Sequence, residues 1–313
     1  QSERFPLYEA TFEALRVAGR VYPCFETAQE LDLRRKILLG RGLPPVYDRA
    51  ALALTPEEIA AKEAAGERPH WRFKLDHDAP IDWTDLIRGD QHFDSRLLSD
   101  PVIRRADGSW LYMLPSVIDD VDMSVTHVLR GEDHVSNTAT QIQMFAALGA
   151  ALPQFAHMAL LTGSEGKLSK RLGTIGISDF RAAGIEPMAI NALLARLGTS
   201  DPVEPATEMA PLIERFDFAH FGRAPARFSD EELEGLNRKI VHLLPYETVA
   251  DRLPATIGPT IWPILQPNLA TVAEAADWLP ILAGEISVPA LGEEDRAYLA
   301  QAADVATQAD FAA

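Results

Sequence analysis

The sequence predicts an α/β fold, a mostly parallel sheet covered by helices, followed by an all-helical region. Three observations predict it. Trp71, Phe73 and Leu75 alternate with Arg72 and Lys74, the period-two pattern of a strand. From residue 126 to residue 161 short apolar runs flank a helical stretch, the order expected of a parallel sheet with a helical cover. From about Asp179 the chain turns helical and stays so.

The elements follow in order. Phe5, Tyr8, Phe12 and Leu15 recur at spacings of three and four, and Gly19 follows as a stop, so a helix opens the chain. A second helix runs from about Ala28 to Leu39, and Gly40 and Gly42 end it. Thr55, Pro56 and Glu58 read as a cap, an N1 proline and the acid at N3 of a short helix. DPVIRRADGSWLYML places two apolar runs around Asp107 and Gly108, a hairpin whose second arm holds Tyr112. Thr126 to Arg130 is a strand candidate, Asn137 to Leu148 a helix, and His157 to Leu161 a short strand that leads into a glycine-containing loop. RAAGIEPMAINALLARLG reads as two helical stretches broken by Gly184 and Pro187. PARF, from Pro225 to Phe228, reads as a linker or cap, and short helices divided by prolines and glycines fill the remainder.

Composition sets limits. The chain has 313 residues, enough for two domains of ordinary size. No run approaches the roughly 18 to 20 apolar residues of a bilayer span, and no basic stretch precedes an apolar run at Gln1 to Phe12. The single cysteine, Cys24, forms no internal disulfide and alone builds no thiolate metal site, so a cytoplasmic location is the default. The net charge is −17, of which residues 201–313 carry −12 through 19 acidic and 7 basic side chains. Phosphate chemistry is therefore to be sought in the first 200 residues, and loose binding of nucleic acid is disfavoured.

Two segments there carry chemistry. GKLSKR, from Gly166 to Arg171, holds two of the chain's six lysines, Lys167 and Lys170, beside Ser169. Cations on a loop with Gly163 and Gly166 suit a polyphosphate. A solvated basic turn is the alternative, and the loop is not a Walker A sequence. RGEDHVSN, from Arg130 to Asn137, lies at a strand end, where α/β folds bind ligands. Arg130 there suits a carboxylate, and Glu132 or Asp133 an amine or a ribose. An ordinary ion pair with Ser136 or Asn137 as helix cap is the alternative. The acidic run Asp119 to Asp122, with His127 and His134, matches no fixed metal spacing. Tyr112 offers a hydroxyl to a substrate or sits in the core. Cys24 reads as an apolar filler.

Together these segments resemble the bacterial glutamyl-tRNA synthetases, class I enzymes. GKLSKRLG is similar to the family's KMSKS-type loop, and THVLRGEDHVSNTATQIQMFAALG to its strand, RGEDH and helix segment. QSERFPLYEATFEAL, YPCFETAQEL, GLPPVYDRAAL and DGSWLYMLPSVIDDVDMSVTH resemble further stretches in the family's order, and the likeness covers essentially the whole chain.

The resemblance implies a class I synthetase catalytic fold, a parallel-sheet nucleotide fold split by an inserted α+β acceptor-stem domain. Residues 1–19 would end the first catalytic half and 20–113 form the insertion. Residues 114–175 would form the second half with the loop, 176–209 a helical stem-contact region, and 210–313 part of a helical anticodon-binding domain. The implied reaction joins L-glutamate to ATP, with Mg2+, as glutamyl-adenylate, then esterifies tRNA(Glu), with tRNA(Gln) as a second candidate. The expected state is a monomer away from membranes. Arg130 would bind the glutamate side-chain carboxylate, helped by Tyr112. Ser116 stands where many members have an asparagine that contacts the amino acid. Gly131, Asp133, Lys167, Ser169, Lys170 and Arg171 would contact ATP or the adenylate, with Lys170 and Lys167 catalytic. The family's HIGH-type motif is not found, which implies a chain poorly active alone, and the cysteine pattern of zinc-bearing members is missing, which implies no zinc. A non-catalytic tRNA-binding protein built from the same parts is the main alternative. An adenylate-forming enzyme that glutamylates another acceptor is a third.

Overall fold

The computed structural model describes residues 2–163, 166–167, 176–285 and 291–308, with residues 166, 167 and 304–308 described by backbone alone. The chain divides into two compact units, one of residues 1–174, 194–203 and 212–229, the other of residues 175–193, 204–211 and 230–313.

The first unit opens with α1 (Phe5–Val17), whose Tyr8, Phe12 and Leu15 are buried along one face. Gly19, at φ +70°, ends it in the left-handed region that a side chain would disfavour. Next come β1 (Val21–Cys24), α2 (Ala28–Gly40), α3 (Pro56–Ala64) and β2 (His70–Phe73). Thr27 and Thr55 cap α2 and α3 with reciprocal bonds to Glu30 and Glu58, and neither helix buries a residue. Such helices gain little from packing, so the capping box supplies much of their definition.

Then follow β3 (Ile81–Asp85), β4 (Gly89–Phe93) and β5 (Val102–Arg104). β1, β2 and β5 form an antiparallel sheet in the order β1-β2-β5. It packs on α1 through Phe12, which meets Trp71 edge-on at 5.2 Å and Trp110 at 5.6 Å between ring centroids. β3 and β4 make a hairpin with Asp85 opposite Gly89, whose φ of +73° turns the chain.

α4 (Met113–Asp122), β6 (His127–Gly131), α5 (Val135–Ala147) and β7 (Gln154–Met158) complete the core. β6 and β7 pair in parallel, and α5 is the crossover between them. β8 (Leu161–Gly163) pairs antiparallel with β9 (Gly166–Lys167) and parallel with β10 (Ala226–Arg227). The β-structure is thus mixed, and β6 with β7 is its parallel centre.

Four sequence readings change. Arg72 does not face solvent as strand alternation implied. It is buried, donates to the Asp100 carbonyl and lies 4.1 Å from the centroid of the Tyr47 ring. Tyr112 is not in a hairpin arm, because pairing ends at the Arg104–Trp110 bridge and Tyr112 is the N-cap of α4. Pro225 to Phe228 is not a linker, since its Ala226 and Arg227 form β10. The cap of α5 is His134, preceded by a short 3-10 turn at Glu132–His134, and not Ser136 or Asn137.

The second unit holds α6 (Ile177–Ala182) and the start of α7 (Pro187–Arg196), then α8 (Ala210–Glu214) begins at its border. α9 (Asp230–Val241) buries Leu233, Leu236, Asn237, Ile240 and Val241, one helical face. Buried Asn237 is satisfied on both sides, accepting from the Glu186 amide at 2.8 Å and donating to the Ala270 carbonyl at 2.8 Å. Trp262 anchors the remaining core and donates to the Leu244 carbonyl. Among the described residues no helix is long and apolar enough to cross a membrane.

Candidate active site

The site is built where α4, β6, α5 and β7 converge. Arg130 is the penultimate residue of β6, and its cross-strand partner is His157 of β7. Thr138 and Gln141, one turn apart on the buried face of α5, point at the same guanidinium. Tyr112 and Ser116, also one turn apart, come from the start of α4.

Arg130 is held by neutral groups. Its Nε donates to His157 Nε2 at 3.3 Å and its Nη1 to the Tyr112 hydroxyl at 3.0 Å. Its Nη2 donates to Thr138 Oγ1 at 2.6 Å and to Gln141 Oε1 at 2.7 Å. Arginine only donates, so Gln141 must present its oxygen to Arg130 and its amide nitrogen to Ser116 Oγ, 2.8 Å away. Ser116 in turn donates to the Met113 carbonyl at 3.0 Å. Ser116 therefore reaches Arg130 through Gln141 and does not touch it.

Among the described residues no carboxylate pairs with Arg130. One Nη1 hydrogen is left over, next to the Tyr112 hydroxyl, whose proton is also free to be given. A half-buried cation fixed by neutral partners, with two donors side by side, suits an incoming carboxylate. The contrast with neighbouring charges supports this. Arg4 is spent on Asp119 and Asp122, and Arg88 on Glu132 at 2.6 Å. Asp120 is an acid that feels the Arg130 charge. Burial raises its pKa, while the Arg130 charge acts in the opposite direction and Asp119 adds to the rise.

The sequence-expected residues fall into three groups. Arg130, Tyr112 and Ser116 come together through the hydrogen bonds above. Gly131 and Asp133 lie just beyond, at the end of β6. A Cβ on Gly131 would stand 2.6 Å from Asp133 Oδ1 and 3.0 Å from Leu160 Cδ2, so any larger residue there would have to displace the Asp133 side chain. Asp133 is exposed, and its carboxylate lies 4.0 Å from His134 Nε2. Lys167 lies on β9, where its backbone pairs with Thr162. Ser169, Lys170 and Arg171 lie outside the described residues.

Sequence reasoning missed Thr138, Gln141, His157 and Asp85. Polar residues on the inner face of an otherwise apolar helix were the available signal for the first two. His157 is fully buried, with its Nδ1 2.5 Å from Asp85 Oδ2. Asp85 closes β3 and also accepts from the amides of Ile87, Arg88 and His157.

A second cluster was missed as well. Antiparallel register sets Cys24 opposite His70, and Glu26 completes a group of possible metal ligands, the only such group among the described residues. The acidic run at 119–122 forms none. Tyr47 donates to Glu26 Oε1 at 2.6 Å, while Glu26 Oε2 and His70 Nε2 are buried without a hydrogen-bond partner. Burial pushes the Cys24 thiol up to about 12.

Comparisons with known proteins show the family. A family model described as tRNA synthetases class I (E and Q), catalytic domain, matches residues 1–235. The chain is 66% identical over 311 residues to glutamate-tRNA ligase 1 of Rhizorhabdus wittichii, covering 99% of the chain and 70% of that protein. It is 61% identical over 311 residues to glutamate-tRNA ligase 1 of Zymomonas mobilis, with the same coverage. A crystal structure of a glutamate tRNA ligase from Elizabethkingia meningosepticum, in complex with its amino acid, superposes with a TM-score of 0.76 at 25% identity. That match covers 94% of this chain and 66% of the solved one. The chain thus spans about 70% of the length of these curated relatives. By the catalytic-domain match and this identity, the chain belongs to the bacterial glutamate-tRNA ligases, class I aminoacyl-tRNA synthetases.

Proposed function

We propose that this chain contributes the glutamate pocket and the phosphate loop to ATP-dependent synthesis of glutamyl-tRNA. The observation that carries the reading is Arg130, a cation fixed by four neutral acceptors with a hydrogen left over beside Tyr112. The side-chain carboxylate of L-glutamate takes that hydrogen and the Tyr112 proton. Ser116 contributes by fixing the Gln141 amide. Glutamine would present a neutral amide and forfeit the charge attraction.

ATP enters with its Mg2+, which needs few protein ligands. Lys167 and Lys170 embrace the phosphates, with Ser169 and Arg171 shaping the loop and Gly131 and Asp133 beside the adenylate. The charge on the reacting phosphoryl group grows more diffuse in the transition state, so Lys170 acts mainly there. Glutamate is joined to the α-phosphate, pyrophosphate leaves, and tRNA(Glu) accepts the glutamyl group, with tRNA(Gln) a second candidate acceptor. Residues 20–113 face the acceptor stem and residues 210–313 the anticodon side. The protein works as a monomer in the cytoplasm.

The reading includes no zinc. Structural zinc sites rest on two or more thiolates, and the cluster at Cys24 has one thiol beside the Arg72 guanidinium. Metal analysis of the purified protein is expected to find no stoichiometric zinc, and one bound ion per chain would overturn that point.

Two substitutions, made in an intact ligase that contains this chain, test the assignment in the glutamate-dependent ATP–pyrophosphate exchange reaction with tRNA present. Arg130→Ala should raise the glutamate needed for half-saturation by about 100-fold, the loss of a charge-assisted contact. An unchanged requirement would remove Arg130 from the site. Lys170→Ala should slow adenylate formation far more than it weakens tRNA binding. Equal losses in both would contradict its role.

A further inference from the structure

Arg130 Nε is a donor in every protonation state, and the atom it meets is His157 Nε2, 3.3 Å away. Thr138 Oγ1 lies 2.9 Å from the same nitrogen and can donate to it, so a ring nitrogen that offers its lone pair suits both neighbours, whereas an N–H there would face the Arg130 N–H. A neutral imidazole that accepts at Nε2 carries its proton at Nδ1, and that proton points at Asp85 Oδ2, 2.5 Å away. Asp85 can only accept there as a carboxylate. Its other oxygen already takes three amides, of His157, Ile87 and Arg88, at 3.1, 3.0 and 2.9 Å. Both side chains are fully buried, so no water competes for the pair. The order of donation that sets no two N–H groups against each other runs from Arg130 Nε, with the Thr138 hydroxyl beside it, to His157 Nε2, and from His157 Nδ1 to Asp85.

We infer that Asp85 and His157 are positioning residues for the glutamate-binding Arg130, with Asp85 setting the His157 tautomer and the tautomer setting the guanidinium. The inference rests on the reading of Arg130 given above. Three features support a role beyond packing. Asp85 is 72 residues from His157 and sits at the turn of a hairpin, yet its carboxylate meets the His157 ring. Arg88, three residues on, pairs with Glu132, which directly follows β6 at the end that carries Arg130. The opposite tautomer would aim an N–H at the Arg130 N–H and push the guanidinium off Tyr112. An imidazole in this setting keeps a neutral acceptor against Arg130 and leaves its charge for the ligand, which a carboxylate in its place would cancel.

The test uses glutamate binding to the whole chain by calorimetry, with 15N imidazole NMR of His157. In His157→Gln the amide oxygen can stand in for the Nε2 lone pair. In His157→Asn the amide can still donate to Asp85 and the acceptor facing Arg130 is lost. Glutamate affinity should fall about tenfold in His157→Asn and stay within about threefold in His157→Gln. The wild-type spectrum should show the proton on Nδ1. Equal affinities in His157→Asn and wild type, equal losses in both variants, or a proton on Nε2 would overturn the inference. The spectrum decides the matter if a variant fails to fold. If Arg130→Ala binds glutamate as wild type does, the reading of the pocket fails, and the tautomer measurement still stands on its own.

Discussion

Asp85 is a buried carboxylate with four hydrogen bonds to spend on it, and its energetics can be read from them. Burial alone would raise its pKa, but bonds from the His157 side chain and from the Arg88, His157 and Ile87 amides outweigh it. The result is a pKa of about 2 against an ordinary 3.8. A depressed folded-state pKa contributes stability that is complete above the unfolded value and lost as pH falls towards the folded one. The contribution is roughly 2 kcal/mol. Urea unfolding of wild type and Asp85→Asn should therefore differ most at pH 6, with the gap narrowing between about pH 4 and pH 2. A gap independent of pH over that window would mean that Asp85 is not charged in the folded protein. At this scale Arg130 was legible in the sequence because a charged residue directly after an apolar strand marks a ligand-facing end. Asp85 and His157 were not. Asp85 sits at the core-facing position of Ile81–Trp83–Asp85, where an acid reads as the end of the strand and not as part of its buried face. Its partner is far away in the chain.

The elements with local signals were the ones the sequence disclosed. α1 follows from the spacing of Tyr8, Phe12 and Leu15, and α3 from Thr55, Pro56 and Glu58, because capping and periodicity need no distant partner. Thr55→Ala should cost about 1 kcal/mol of local helix stability and speed amide exchange at Glu58, whose amide the threonine caps. Global unfolding should barely change, since α3 buries nothing. A large drop in the global midpoint would show that α3 is docked and not merely capped. Phe12→Ala is the opposite case. It removes a fully buried ring set edge-on between Trp71 and Trp110, and should cost about 3 to 5 kcal/mol in chemical unfolding. Elements defined by distant pairing stayed hidden. β10 has two residues, too few for any period, and exists because β8 accepts it from 64 residues away. Tyr112 belongs to α4 because pairing after Trp110 has no partner to continue with, which no local pattern at Trp110–Met113 reveals.

On the scale of the molecule, the acidic charge is concentrated in residues 201–313, while Arg130, Lys167 and Lys170 all lie before residue 200. The fold supports that division of labour, since β6, α5 and β7 bring the pocket together within the first unit. Residue chemistry alone left a carboxylate-binding arginine and a phosphate loop open beside an ordinary ion pair and a solvated turn, and the family resemblance chose between them. The central claim is that Arg130 reads the charge of the glutamate side chain. Calorimetry with glutamate and glutamine, on wild type and Arg130→Gln, tests it most directly. Wild type should favour glutamate by about 100-fold, and Arg130→Gln should bring the two amino acids within a few-fold of each other. Undiminished preference for glutamate in Arg130→Gln would contradict the account.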